Sequence, residues 1–210
     1  TKISDFILDE DVKNYLNRWM DITKSTMLFS KGIILVEGIC EAMIIPALAS
    51  QVLKEYNCIH DQKLPLTLEE AGVSVINING INFKYFYPLF ADLNGYGENR
   101  LPIRCSGITD KDPRAKIIEE DGEDKKEEIY PIETDTIDGG NEAISLVANL
   151  EKSIYCRLYV SPLKTFEYDL AMAGNLSLMA EIIKDGWPKG DENKSGVKGR
   201  CKIIQEKCDK

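Results

Sequence analysis

Two short stretches concentrate the residues of this chain that are equipped for chemistry. Residues 33–41 read IILVEGICE and residues 108–112 read ITDKD. In the first, an apolar run ends on Glu37, Gly38 follows, and Glu41 stands four positions after Glu37. In the second, Asp110 and Asp112 close another apolar run, and Pro113 stiffens the exit. Gly38 lets the backbone turn sharply away from a strand. A helix beginning there puts Glu41 in its first turn, where the dipole favours negative charge. Asp110 and Asp112, two apart, share a face if the strand end stays extended. Carboxylates that converge raise one another's pKa, and a divalent cation removes that cost. Oxygen ligands without His or Cys favour Mg2+ or Mn2+ over Zn2+. Taken singly, a Glu after a strand is most often a solvated helix start, and a lone D-x-D is often a turn. The joint pattern, E-G-x-x-E after one apolar strand and D-x-D after another, favours a metal site.

These carboxylates need strands and helices to carry them. Val12, Tyr15, Leu16, Trp19, Met20 and Thr23 recur at helical spacing and predict a helix over 9–27. Its aromatic residues read as core or interface, packing on a missing neighbour or on a second copy of the chain. A strand at 33–36 leads into a helix over 39–56, with a kink or a late start expected at Pro46. The β-branched stretch at 72–80 predicts a second strand, 81–95 a helix, and 101–110 a third strand. Residues 119–138 hold ten acids and two lysines, which reads as a solvated loop or insertion and not as core. A helix over 140–150, a fourth strand within 153–161, two helices over 164–186 and a short last helix at 198–207 complete the pattern. Strands alternating with helices indicate an α/β fold with a mostly parallel sheet flanked by helices. Such sheets bind ligands at the carboxyl ends of their strands, where Glu37 and Asp110 both fall.

Composition bounds the classes. The chain has 210 residues, 43% hydrophobic and 29% charged, with a formal net charge of −9. That is an ordinary globular make-up, and the net acidity argues against a protein that simply coats nucleic acid. The basic excess sits late, with eight basic residues against five acids over 184–210. No apolar run approaches membrane-helix length. The start carries no initiator Met and no secretory pattern, so a fragment of a longer cytoplasmic protein is expected. Six cysteines without a C-x-x-C read as buried free thiols, and His60, the only histidine, as a solvated loop residue. That composition leaves little room for a zinc site or for Ser-His-Asp chemistry.

The stretches ILVEGICEAMIIPALA (34–49) and GITDKDP (107–113) resemble a Toprim domain, a Rossmann-like metal-binding module of topoisomerases, primases and some nucleases. SPLKTFEYDLA (161–171) and KGRCKIIQ (198–205) are similar to segments of the OLD family, named for overcoming lysogenization defect. Cys201 departs from the aromatic residue usual at that place. The resemblance implies a two-metal DNA endonuclease. It implies a leading helix at 1–30 and a Toprim nuclease domain at 31–210, with an acidic and helical insertion at about 113–152. Glu37, Glu41, Asp110 and Asp112 would hold the metals, with Glu167 a further ligand and Asp169 another. Glu37, Asp110 and Lys198 would be catalytic, Lys198 by offsetting charge on the phosphate or by docking it. An ATPase domain upstream and a role in phage defence or DNA processing are implied too. The chain itself has no G-x-x-x-x-G-K-[ST], so no ATP site is expected within it.

Two other classes compete. A phosphatase of the haloacid dehalogenase type would use Asp110 as nucleophile, but leaves Glu37 and Glu41 without a role. A regulatory Toprim module would keep the fold without catalysis, and the intact carboxylate set argues against it.

Overall fold

The computed structural model describes residues 6, 8–20, 25–91, 100–120 and 123–186. Among these, the main sheet has four strands: β1 (Gly32–Val36), β2 (Val73–Asn77), β3 (Arg104–Thr109) and β6 (Cys156–Val160). They run parallel in the order β2-β1-β3-β6. All four carboxyl ends therefore lie along one edge. The chain leaves β1 towards β2 and later returns to β1's other side as β3, so the topological switch falls between β1 and β3. This is the parallel α/β sheet that the alternation of strands and helices predicts.

β1 is sequestered because it is central and apolar: Ile33, Leu35 and Val36 are buried. Helix α2 (Ile39–His60) begins directly after the extended Gly38 and packs against β1 and β2. It runs through Pro46, so the late start expected there does not occur. It ends where Asp61 turns left-handed (φ 48°), with the Asp61 N–H donating to the Asn57 carbonyl. His60 is the last helical residue, exposed and against the Tyr56 ring, where a loop had been expected.

The first helix is shorter than its periodicity predicts. α1 spans Glu10–Trp19, Met20 turns extended, and a 3-10 turn at Thr26–Phe29 carries Met27 into the core. Tyr15 stacks on Tyr85 at 4.2 Å and Trp19 meets Phe86 edge-on at 4.4 Å, so these aromatics are packing groups. Over 81–91, the helix expected at 81–95 is replaced by two 3-10 turns, Phe83–Tyr85 and Tyr87–Leu89; residues 92–95 lie outside the described residues. Pro88 supplies no N–H for a longer ladder. Phe83, Phe86, Tyr87 and Phe90 are buried at the i, i+3, i+4, i+7 spacing of a helix face, and Leu89 is buried beside them, although the backbone forms 3-10 turns.

Part of the acidic stretch expected as a loop is an antiparallel hairpin, β4 (Lys116–Glu120) with β5 (Glu123–Glu127), outside the main sheet. Its register pairs Lys116 with Glu127, Ile117 with Lys126 and Ile118 with Lys125. The chain returns through a Pro113–Gly139 bridge to a 3-10 turn at Glu142–Leu146 and helix α3 (Val147–Leu150), which packs on β6. After β6, helix α4 (Phe166–Leu170) leads through a wide turn at Ala171–Asn175 into α5 (Leu176–Gly186). Gly174, at φ +88°, makes the break between the two expected helices. The last short helix expected at 198–207 lies outside the described residues, as do Cys201 and Cys208. Cys105 and Cys156 are buried, free register partners on β3 and β6, whereas Cys58 is exposed against the expectation of burial. No helix among the described residues is long and apolar enough to cross a membrane.

Candidate metal centre

The register between β1 and β3 pairs Val36 with Ile108, so the residues just beyond both strands meet at one level of the sheet edge. Glu37 projects from β1 towards the end of β3. Its Oε1 accepts from the Thr109 hydroxyl, from the Asp110 N–H at 3.1 Å and from the Asn141 side-chain amide at 3.1 Å. The Glu37 backbone carbonyl accepts the Gly80 N–H at 2.8 Å, which ties the same residue to the loop after β2. Burial raises the Glu37 pKa above the usual carboxylate range. The three hydrogen bonds oppose that rise, and the Asp112 charge adds to it.

Asp110 is held from the other side of the crevice. Its Oδ1 accepts the Phe166 N–H at 2.9 Å, and the Ser161 hydroxyl lies 3.4 Å away. Burial lifts its pKa to about 7; the Phe166 N–H works against this, while Glu37, Asp112 and Glu41 reinforce it. The D-x-D does not share an extended face. β3 stops at Thr109, and Asp112 is left-handed (φ 45°). Lys111 and Asp112 donate their N–H groups to the Lys164 carbonyl at 2.9 and 3.1 Å, which folds this loop onto the segment before α4. Gly140 donates to the Asp112 carbonyl at 2.8 Å, so closely that a Cβ there would collide with that oxygen.

Glu41 lies in the first turn of α2 and is only 6% exposed. Its Oε2 is buried without a hydrogen-bond partner and lies against Gly38. Glu167, in the first turn of α4, is close enough for the Cys40 thiol to donate to it. Burial, that hydrogen bond and the charges of Glu167, Glu41 and Asp110 push Cys40 up to about 11. Asp169 is differently engaged. Its Oδ1 takes the N–H groups of Leu163 and Lys164 at 3.2 and 3.1 Å, so it pins the turn after β6. Lys198 lies outside the described residues.

Asp110 thus lies within electrostatic reach of Glu37, Asp112 and Glu41, Cys40 lies within reach of Glu167, Glu41 and Asp110, and Asp169 is committed to backbone. Among the described residues, no three Asp, Glu, Cys or His side chains stand ready to close around one ion. The described bonds of Glu37 all fall on Oε1 and those of Asp110 on Oδ1. The second oxygen of each carries no described bond, and Glu41 Oε2 is buried without a partner, so oxygen donors remain available in a partly desolvated crevice. Such donors fit a hard divalent cation. Sequence reasoning missed Asn141, Thr109, Ser161 and Cys40. Of these only Asn141 carried a local signal, an N-cap residue following two glycines.

A parallel Rossmann-like sheet with an acidic crevice at its switch point is the class of module defined here. Residues 28–112, from the turn before β1 through Asp112, match the family model described as "Overcoming lysogenization defect protein-like, TOPRIM domain". Over these residues the chain is similar to an OLD-like Toprim domain. The C-terminal region of the Xanthomonas campestris pv. campestris OLD protein shares the fold, with a TM-score of 0.50 and 23% identity over 88% of this chain and 72% of that one. The C-terminal region of the Burkholderia pseudomallei OLD protein aligns with a TM-score of 0.42 and 18% identity, over 85% of this chain and 82% of that one. No curated protein sequence matches the chain.

Proposed function

We propose that the chain is the nuclease part of an OLD-family protein and hydrolyses DNA phosphodiester bonds with two Mg2+ or Mn2+ ions. The observation that carries this reading is the meeting of Glu37 with Asp110 beside the buried, unpartnered Oε2 of Glu41. The match to an OLD-like Toprim domain supports it. Glu37, Glu41, Asp110, Asp112 and Glu167 are the proposed ligands. When bound, two divalent cations supply an activated water and neutralise the leaving oxygen of an in-line displacement.

The protein's own contribution is placement. Thr109, Asn141 and the Asp110 N–H hold one oxygen of Glu37 and leave the other without a described bond. Phe166 and Ser161 do the same for Asp110. Lys198 is proposed to meet the phosphate, either stabilising its developing charge or docking it. Asp169, counted with the ligands from resemblance, serves by fixing the turn that presents Ser161 and Phe166. An upstream ATPase domain, a homo-oligomeric assembly, a cytoplasmic setting and a role in phage defence belong to the same proposal. So does the division into a leading helix and a Toprim domain with its insertion.

Plasmid cleavage in Mn2+ tests the reading. The wild-type chain should nick or linearise DNA, and Glu37→Gln and Asp110→Asn should each lower the rate by at least about 100-fold, the scale of lost charge stabilisation in such sites. Undiminished cutting by both variants would overturn the assignment. Hydrolysis of p-nitrophenyl phosphate with no action on DNA would favour the phosphatase reading instead.

A further inference from the structure

We infer that Asn141 is a positioning residue of the metal centre, and that the segment returning from the acidic hairpin completes the centre. This rests on the proposed metal-dependent reading. Asn141 is only 7% exposed, although it lies 104 positions from Glu37. Its amide nitrogen faces three oxygens at once: Glu37 Oε1 at 3.1 Å, Thr109 Oγ1 at 3.0 Å and the Asp110 carbonyl at 3.0 Å. Its side-chain oxygen accepts the Ala143 N–H at 2.9 Å and so fixes the amide's orientation. The amide therefore has one face tied to its own turn and the other turned to the ends of β1 and β3. Gly140, immediately before it, donates to the carbonyls of Lys111 and Asp112 at 3.0 and 2.8 Å. One short stretch thus grips the first carboxylate and the D-x-D loop together.

The physical consequence concerns Glu37. A buried carboxylate with no donors protonates or rotates away. Donors on Oε1 restrain rotation about its last side-chain bond and leave Oε2 as the oxygen without a described bond. Partners of this kind behind a ligand typically contribute ten- to a hundredfold in metal affinity. Among the described residues, Asn141 and Thr109 are the two side chains that bond Oε1.

Asn141→Ser separates this role from simple folding. Serine retains an oxygen for the Ala143 N–H and loses the amide that reaches Glu37. Mn2+ binding to the whole chain, read by electron paramagnetic resonance, should weaken about tenfold or more in Asn141→Ser. Cleavage at limiting Mn2+ should fall in step and recover as Mn2+ is raised. A merely structural role would lower the melting temperature and leave the Mn2+ affinity of the folded protein unchanged. Thr109→Val removes the hydroxyl from the same oxygen at nearly constant volume; it should shift Mn2+ affinity in the same direction and serves if Asn141→Ser does not fold. Wild-type Mn2+ affinity in the folded variant overturns the inference alone. A wild-type chain that binds no Mn2+ overturns the metal reading and this inference with it.

Discussion

The ionisation of Asp110 bears on the stability of the metal-free chain. Burial holds its carboxyl at about 7, far above the 3.8 of an unperturbed aspartate, and Glu37 is shifted the same way. Between those two values the folded chain keeps a proton that the unfolded chain has released. The stabilisation is full below the unfolded value and is lost as pH rises through about 7. In EDTA, the urea midpoint of the wild type should therefore be lower at about pH 8 than at about pH 5, and Asp110→Asn should flatten that fall. Equal pH slopes in the two proteins would remove Asp110 as the cause. At this scale the carboxylates were legible because a charge closing an apolar run is a local pattern. Asn141 was not: its partners are made by the chain's return, and a capping Asn looks the same whether or not Glu37 stands behind it.

At the scale of elements, β3 depends on a missing side chain. The Tyr87 hydroxyl crosses Gly107 to donate to the Arg157 carbonyl at 2.8 Å. A Cβ on Gly107 would run into that hydroxyl, and would lie 2.8 Å from Leu158 Cδ1 and 3.0 Å from Phe83 Cε1. Gly107→Ala should cost about 1–3 kcal/mol by overpacking. Adding Tyr87→Phe should cost less in that background than alone, because the hydroxyl is one of the colliding groups. Urea unfolding of both single variants and the double variant checks this; strict additivity would mean that the contact does not govern the strand. The strands were legible from their β-branched runs and flanking turns. The aromatic stretch after β2 was not, because Phe83, Phe86, Tyr87 and Phe90 keep helical spacing while Pro88 breaks the ladder that spacing predicts. Helix α2 shows the converse: Leu48, Val52, Tyr56 and Ile59 are apolar yet exposed, so apolar spacing marked the helix without marking its buried face.

For the whole molecule, the arrangement sets folding against function in a way that cations can reverse. The parallel sheet gathers acids from residues 37–41, 110–112 and 167 at one edge of a chain already carrying a net charge of −9. In metal-free solution, their repulsion and desolvation oppose the folded state. An ion that binds only the folded chain stabilises it by mass action, about 2.7 kcal/mol at a hundredfold excess over its Kd. General screening of the acidic surface acts on every exposed charge and needs no geometry. The two effects separate cleanly. Mn2+ should raise the wild-type melting temperature by several degrees at concentrations where NaCl of equal ionic strength does little. Glu37→Gln should abolish most of that rise while retaining the response to NaCl. Glu133→Gln, in the exposed acidic stretch between the hairpin and Gly139, should leave the Mn2+ response intact. A Mn2+ response unchanged in Glu37→Gln would mean that the sheet edge gathers its carboxylates without using them to hold a cation.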